Sequence, residues 1–155
     1  MKTVLFVCTG NTCRSPMAEA LFKYLARRSG LEDIKAVSAG LAAIEGDRAT
    51  PHAIEVMQRR GIDLSDHRAK NVDASLVEEA DLILTMTYRH KSILSNMYPQ
   101  ATSKIHVLKE YVEDGAIKGE MAEILDPFGK PVEVYESCAI ELEEVLKKLV
   151  EKLKA

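Results

Sequence analysis

Three features are missing from this sequence, and each absence argues against one class of protein. The chain of 155 residues has only three cysteines (Cys8, Cys13 and Cys138), and their spacing is neither a disulfide framework nor a zinc pattern. No apolar run approaches the roughly 18 residues that a membrane-spanning helix needs. The basic residues form no block, and a net charge of −3 argues against nucleic acid held by phosphate neutralisation. We therefore expect a cytoplasmic protein with no membrane or nucleic-acid partner.

The sequence also has no pattern typical of a metal site. Its four histidines fall in helix, loop and strand contexts without the spacing of metal ligands. They are His52, His67, His90 and His106. We expect them to lie on the surface or to form hydrogen bonds, and we expect no metal and no cofactor.

Short apolar runs alternate with helical patterns along a length that suits one domain, taken as residues 1–155. Strands are predicted at 3–8, 35–38, 81–86 and 105–108. Helices are predicted from Pro16 to Gly30, from Pro51 to Gly61, over 87–97, and from Pro131 onward, with a surface loop at 110–123. This alternation predicts an α/β fold: a three-layer, doubly wound, four-stranded parallel sheet with helices on both faces. Its ligand site should lie beyond the carboxyl ends of the strands.

The loop after the first strand, CTGNTCRS, has the residues of an anion site that contains a nucleophile. Cys8 ends a buried strand and Arg14 follows five residues later, where a helix start favours an anion. The guanidinium of Arg14 suits a bidentate phosphate clamp, and the positive field favours the nucleophilic thiolate of Cys8. Gly10 and Asn11 tolerate the positive φ that a tight loop needs. The predicted phosphate-binding residues are Thr9, Gly10, Asn11, Thr12, Cys13 and Arg14.

Ser15 has two predicted roles beside this loop. It is expected to cap the following helix, with Pro16 in the first turn, and to donate its hydroxyl to the Cys8 sulfur. The alternative for the loop is structural, with Cys8 an inert strand-end residue and Arg14 an ordinary helix-start cation. The combination of nucleophile, loop and clamp favours catalysis.

This loop resembles the signature of the low-molecular-weight protein tyrosine phosphatases, and the likeness extends across the chain. The matching segments are VCTGNTCRSPMAEA, SAG at 38–40, the Pro51-His52 helix ending at GIDLSDHRA, ADLILTMT and LDPFG. The resemblance implies a cysteinyl-phosphate intermediate on Cys8, phosphorylated protein substrates and no metal. It also implies that Asp126 is the general acid and base, and that Asn11, Ser38 and His67 brace the loop.

Two residues depart from the tyrosine-directed pattern and look like the bacterial protein arginine phosphatases. Thr12 stands where tyrosine-directed members carry a bulky aliphatic residue, and Phe128 stands where eukaryotic members carry tyrosine. A small polar Thr12 leaves room for a planar guanidinium, which Phe128 can stack against. Phosphoarginine is thus the expected substrate and phosphotyrosine the alternative. A monomer or weak dimer is expected.

Two other functions remain as alternatives. Thiol-dependent arsenate reductases of this fold carry two further cysteines on a later segment, whereas this chain has none between Asp81 and Tyr98. Cys138 falls on the apolar stripe of the last helix and is expected in the core. A phosphoprotein-binding module would need the loop without the acid, so Asp126 argues against it.

Cys8 and Cys13 lie on the same loop, and this raises a redox hypothesis. A reversible Cys8–Cys13 bond would shield the nucleophile from overoxidation. The alternative is that Cys13 simply packs within the loop.

Overall fold

The fold is centred on a four-stranded sheet, seen in a computed structural model that describes residues 2–155. The strands are β1 (Lys2–Cys8), β2 (Ile34–Gly40), β3 (Leu82–Thr85) and β4 (Ile105–Val107). They lie in the order β2-β1-β3-β4, and every pair is parallel. The chain leaves β1 toward one side for β2 and crosses to the other side for β3. The predicted doubly wound sheet is confirmed.

Helices connect and cover these strands. They are α1 (Arg14–Arg28), α2 (Pro51–Gln58), α3 (Ala74–Glu79), α4 (Tyr88–Met97), α5 (Leu108–Val112) and α6 (Val132–Lys154), with 3₁₀ turns at Pro99–Lys104 and Gly119–Ala122. Because connections between parallel strands must cross over the sheet, helices cover both of its faces.

Alternate side chains of β1 enter two separate cores. Val4 and Phe6 join the cluster formed with α1, α2 and α6, whereas Leu5 and Val7 join the cluster formed with α3 and α4. All four side chains are at most 1% exposed. The central strand is therefore held on both faces, which fixes the position of the loop that follows it.

Several predicted strand boundaries differ from those observed. The second strand extends to Gly40 because Ala39 and Gly40 continue the pairing with Val7 and Cys8. The third strand is shorter than predicted at both ends, and the fourth ends at Val107 because α5 begins at the next residue. The end of β2 was missed because Ala39 and Gly40 are small residues with low strand propensity.

The helix predictions were wrong in three places. First, α1 begins at Arg14, so Ser15 lies inside its first turn and is not the cap. Second, α3 was missed; it has six residues, too few for a clear apolar period, although Asp73 caps it through the amide of Leu76. Third, the predicted loop at 110–123 contains the end of α5 and a 3₁₀ turn.

The last helix agrees with its predicted apolar stripe. Tyr135, Cys138, Leu142, Val145 and Leu149 are buried against the first core cluster. No helix within residues 2–155 is both long enough and apolar enough to span a membrane.

Candidate active site

A cavity of about 210 Å³ opens at the carboxyl end of β1. Parallel strands bring their carboxyl ends to one edge of the sheet, so the loops that follow them meet there. The cavity is lined by Cys8, Thr9, Gly10, Thr12, Cys13, Arg14, Asp126 and Phe128. The predicted nucleophile, clamp, acid and specificity residues are thus brought together, although the last two lie more than 100 residues from the first.

Cys8 is the last residue of β1 and lies at the base of this cavity. The residue is 3% exposed, and its sulfur is 2.9 Å from the hydroxyl oxygen of Ser15. The thiol therefore has a polar partner on one side and the cavity on the other. This environment differs from the purely apolar packing of an inert strand-end cysteine.

The backbone between Cys8 and α1 has unpaired amide groups. In the part of the chain that the structure describes, the backbone hydrogen bonds outside helices and strands include none donated by an amide of residues 9–14. These residues either line the cavity or, in the case of Asn11, lie buried beside it. Unpaired amides at the start of a helix form a concavity that favours an anion.

Arg14 adds a full positive charge to the cavity wall. It is 5% exposed, and its Nη1 donates to the carbonyl of Ile124 at 2.9 Å. Its Nη2 lies 3.6 Å from a carboxylate oxygen of Asp126. Its Nε is buried and has no hydrogen-bond partner among residues 2–155. A buried donor without a partner is costly, so a phosphate oxygen that accepts from Nε would satisfy it.

The buried side chain of Asn11 fixes the shape of the loop through its hydrogen bonds. It has a φ of +57°, a left-handed conformation that Asn adopts more readily than most residues. Its side-chain amide nitrogen donates to Ser15 Oγ at 2.9 Å and to Ser38 Oγ at 3.0 Å. Its side-chain oxygen accepts from the amide of Lys70 at 3.0 Å. A buried, fully bonded side chain of this kind makes the loop rigid.

His67 and Glu19 extend this support. His67 Nε2 lies 2.7 Å from the carbonyl oxygen of Asn11, and because a carbonyl only accepts, Nε2 carries the hydrogen. Ser38 Oγ donates to Glu19 at 2.6 Å. The three predicted bracing residues, Asn11, Ser38 and His67, are therefore all in contact with the loop or with one another.

Gly10 does not have the backbone role that was predicted for it, whereas Gly40 has a steric role that was not predicted. Gly10 is not in the positive-φ region, and a Cβ at this position would lie 3.6 Å from the Thr12 hydroxyl, an ordinary contact. By contrast, a Cβ on Gly40 would lie 2.5 Å from the carbonyl oxygen of Thr9. Glycine is required at Gly40, where β2 passes directly against the loop.

Asp126 and Phe128 form the outer wall of the cavity. The Asp126 side chain is 51% exposed, and its Oδ1 accepts from the amide of Phe128 at 3.1 Å. Phe128 is 64% exposed, which is unusual for so large an apolar ring. A carboxylate and an aromatic face thus stand at the entrance, where they would contact the group that carries a phosphate.

Cys13 is held away from the solvent by residues that sequence reasoning missed. Its sulfur lies 3.4 Å from the Tyr135 hydroxyl and 3.6 Å from that of Thr50. Burial raises the pKa of the Cys13 thiol. Burial and the Cys13 contact raise the pKa of Tyr135 to about 12. Tyr135 was predicted only as a core residue, because a position on an apolar stripe does not reveal a hydrogen bond to a distant loop.

His90 was also missed as a neighbour of the cavity. It is 4% exposed, and its Nε2 lies 2.9 Å from the hydroxyl oxygen of Thr9. No ligand spacing marked this histidine in the sequence. The order of the strands was the available signal, because His90 follows β3 and β3 is the neighbour of β1.

Comparison with known proteins gives a consistent result. A family model described as "Low molecular weight phosphotyrosine protein phosphatase" matches residues 3–155. The chain is 44% identical over 151 residues to the protein-arginine-phosphatase of Bacillus subtilis (strain 168), covering 97% of this chain and 96% of that protein. It is 40% identical over 150 residues to the protein-arginine-phosphatase of Geobacillus stearothermophilus, covering 97% of this chain and 95% of that protein.

A solved structure of a YwlE arginine phosphatase mutant, which has a phosphorylated active-site serine, superimposes with a TM-score of 0.92. Its sequence is 43% identical, and the match covers 98% of this chain and 95% of that one. The similarity to these proteins in fold and in sequence therefore extends over nearly the full length of the chain. The chain belongs to the low molecular weight phosphotyrosine protein phosphatase family and is a phosphatase.

Proposed function

We propose that this protein hydrolyses phosphoarginine in proteins by passing the phosphoryl group through Cys8. The observation that carries the proposal is the cavity itself. A thiol lies at its base, unpaired amides and the Arg14 guanidinium surround it, and the Asp126 carboxylate stands at its mouth. This is the order in which a nucleophile, a phosphate and a proton donor must be stacked for an in-line displacement.

In the first step the Cys8 thiolate attacks phosphorus, and the bond between phosphorus and the arginine nitrogen breaks. Asp126 donates its proton to that nitrogen as it leaves. Because guanidine has a pKa above about 12, an unprotonated leaving group would be very unfavourable. The amides of the loop and Arg14 bind the phosphoryl oxygens throughout the transfer.

In the second step a water molecule attacks the phosphocysteine. Asp126 now accepts a proton from that water, the bond between sulfur and phosphorus breaks, and inorganic phosphate leaves. The electron pair returns to Cys8 as a thiolate, which the hydroxyl of Ser15 stabilises from 2.9 Å. The cycle needs no metal and no cofactor.

Specificity for arginine is proposed to come from the walls of the cavity. Thr12 lines it with a short polar side chain, and Phe128 presents an exposed ring at its mouth. The carbonyl oxygen of the Asp126 carboxyl group can also accept a hydrogen bond from one of the remaining guanidinium nitrogens. Two relatives at 40–44% identity carry the name protein-arginine-phosphatase, which supports this choice.

Phosphotyrosine is the second candidate substrate. The family model takes its description from that activity. The aromatic ring of phosphotyrosine can also stack on Phe128, so the space beside Thr12 is the main feature that distinguishes the two substrates.

Arsenate reduction is not favoured, since Cys138 is buried in the core at 7% exposure and cannot relay oxidation from the cavity.

The direct test is a kinetic comparison of two peptides that differ only in phosphoarginine against phosphotyrosine, with Cys8→Ser as the blank. The proposal expects a higher kcat/KM for phosphoarginine and no turnover in the blank. A higher kcat/KM for phosphotyrosine would transfer the function to the second candidate. Binding of both peptides without turnover would instead indicate a recognition module.

The wider setting of the enzyme is also a proposal. Residues 1–155 would act as one phosphatase domain in the cytoplasm, on phosphorylated protein substrates and as a monomer or weak dimer. Nucleic acid and membranes are not expected partners, given the net charge of −3 and the lack of a basic block. Light scattering across a concentration series would give the oligomeric state, and a stable higher oligomer would contradict it.

Oxidative protection of the nucleophile by Cys13 is proposed as a property of the same site. Peroxide would convert the Cys8 thiolate to a sulfenic acid, and the Cys13 thiol would then condense with it to form a disulfide and release water. Both cysteines are free thiols that line the cavity. Cys13 must first leave its contact with Tyr135. Peptide mapping after mild peroxide should find a Cys8–Cys13 bridge; sulfinic Cys8 without a bridge would contradict protection.

A further inference from the structure

His90 connects the second half of the sheet to the cavity. It lies in the first turn of α4, where its own amide donates to the hydroxyl of Thr87 at 3.2 Å. Its ring reaches across to the loop after β1, with Nε2 2.9 Å from Thr9 Oγ1. Since β1 and β3 are hydrogen-bonded neighbours with Val7 opposite Thr85, the loops after these two strands meet. The contact between His90 and Thr9 therefore follows from the pairing of β1 with β3.

The imidazole of His90 is neutral at neutral pH. Burial, followed by the positive charge of Arg14, is the main cause that lowers its pKa to about 4. The positive charge of Arg89 also lowers the pKa of His90, whereas the negative charge of Asp126 raises it. A neutral imidazole carries one hydrogen, on either Nδ1 or Nε2.

The surroundings of the ring decide which nitrogen carries that hydrogen. Nδ1 is buried and has no partner within residues 2–155, whereas Nε2 faces the Thr9 hydroxyl. A hydrogen on Nδ1 would leave a buried donor unsatisfied. A hydrogen on Nε2 can be donated to the hydroxyl oxygen of Thr9. The tautomer with Nε2–H is therefore the stable one.

This tautomer determines what the Thr9 hydroxyl can do. When Thr9 Oγ1 accepts from His90, its own hydrogen must point elsewhere. Thr9 lines the cavity beside Cys8 and Arg14. We propose that His90 is a positioning residue that holds the Thr9 hydroxyl as an additional hydrogen-bond donor to the phosphoryl group in the cavity. The inference rests on the proposed function for its ligand, but the tautomer can be tested without it.

The first test is the protonation state of the ring in the folded protein. A two-bond ¹H–¹⁵N correlation spectrum of the ¹⁵N-histidine-labelled enzyme at pH 7 should show His90 with hydrogen on Nε2 and a lone pair on Nδ1. Comparison with His90→Gln identifies the signal. A hydrogen on Nδ1, or a doubly protonated ring, would overturn the inference. This result does not depend on which phosphopeptide the enzyme cleaves.

The second test measures the hydrogen bond to the phosphoryl group. His90→Leu is expected to lower kcat/KM about tenfold, the size expected for one lost hydrogen bond to the phosphoryl group. His90→Gln, whose side-chain N–H can replace Nε2–H, should recover most of the loss. In a Thr9→Val background, His90→Leu should cause no further decrease. An equal decrease in both backgrounds would show that His90 does not act through Thr9.

Two controls separate positioning from folding. His106→Gln changes a histidine that packs against Tyr111 instead of the cavity, and it should leave kcat/KM unchanged. Urea unfolding of each variant shows whether it folds. If no phosphopeptide is cleaved at all, the affinity for inorganic phosphate serves instead. It should weaken in His90→Leu and recover in His90→Gln; equal affinities in both would overturn the inference.

Discussion

The hydroxyl oxygen of Ser15 lies 2.9 Å from the sulfur of Cys8, and the surrounding bonds determine its direction. The two hydrogens of the Asn11 side-chain amide are given to Ser15 Oγ and Ser38 Oγ. Ser38 passes its own hydrogen to Glu19. Ser15 therefore accepts from Asn11, and its hydrogen remains for the sulfur. With the Glu19 carboxylate accepting at one end of this hydrogen-bonded series and the Cys8 sulfur accepting at the other, each hydroxyl has one consistent orientation.

Ser15→Ala should slow the second chemical step more than the first. Without the hydroxyl, the Cys8 thiolate is a poorer leaving group from phosphorus, so phosphocysteine should accumulate and its hydrolysis should fall about tenfold. Rapid-quench measurement of the phosphoenzyme checks this. Ser92→Ala, on the exposed surface of α4, is the control. A Ser15→Ala enzyme with an unchanged hydrolysis rate would remove Ser15 from the mechanism.

Asp126→Asn should lower kcat on phosphoarginine by about 10²–10⁴-fold, because the amide can neither donate nor accept the proton. The loss should be smaller on a substrate whose leaving group needs no proton, such as an activated aryl phosphate. Steady-state kinetics on both substrates measure the difference. Asp33→Asn, an exposed change before β2, is the control. Equal losses on the two substrates would argue against a role in protonating the leaving group.

Thr12→Ile should shift the substrate preference. The larger aliphatic side chain would fill the space beside Cys8 that a planar guanidinium needs, so kcat/KM for phosphoarginine should fall relative to phosphotyrosine. Thr12→Ser keeps the space and the hydroxyl and should leave the ratio nearly unchanged. Competition between the two peptides in one reaction measures the ratio directly. An unchanged ratio in Thr12→Ile would exclude Thr12 as the determinant.

The folded protein should lose stability in mild acid partly through His90. Its folded pKa of about 4 lies below the ordinary value of 6.5, so the unfolded chain binds the proton more readily. The contribution of neutral His90 to the free energy of unfolding is fully present above pH 6.5. It is lost as the pH falls toward 4, by at most about 3 kcal/mol. The charges facing the ring are Arg14, Arg89 and Asp126. Urea unfolding from pH 7 to pH 4 should show a shallower decline in His90→Gln; parallel curves would contradict this.

The sequence predicts the position of the loop after β1 well because the information that determines it is local. Cys8, the loop and Arg14 lie within seven consecutive positions, so a strand before them and a helix after them determine where they sit. The doubly wound parallel sheet follows from the alternation of strands and helices and from the handedness of their connections. Gly10 was the exception, since left-handed backbone occurs at Asn11 alone within the loop.

Contacts between distant segments could not be predicted from the sequence. His90 is 81 residues from Thr9, and Tyr135 is 122 residues from Cys13. Each residue matches an ordinary helical pattern, and only the packed fold shows its polar partner. The short helix α3 was missed for a different reason, since six residues are too few to show a period.

The central claim is that Cys8 carries the phosphoryl group between substrate and water. The most direct test is to denature the enzyme with detergent at alkaline pH within milliseconds of adding a ³²P-labelled phosphoarginine peptide and to map the label. The account predicts a label on the peptide that contains Cys8, and none in Cys8→Ala. Label on another residue, or full turnover by Cys8→Ala, would contradict it.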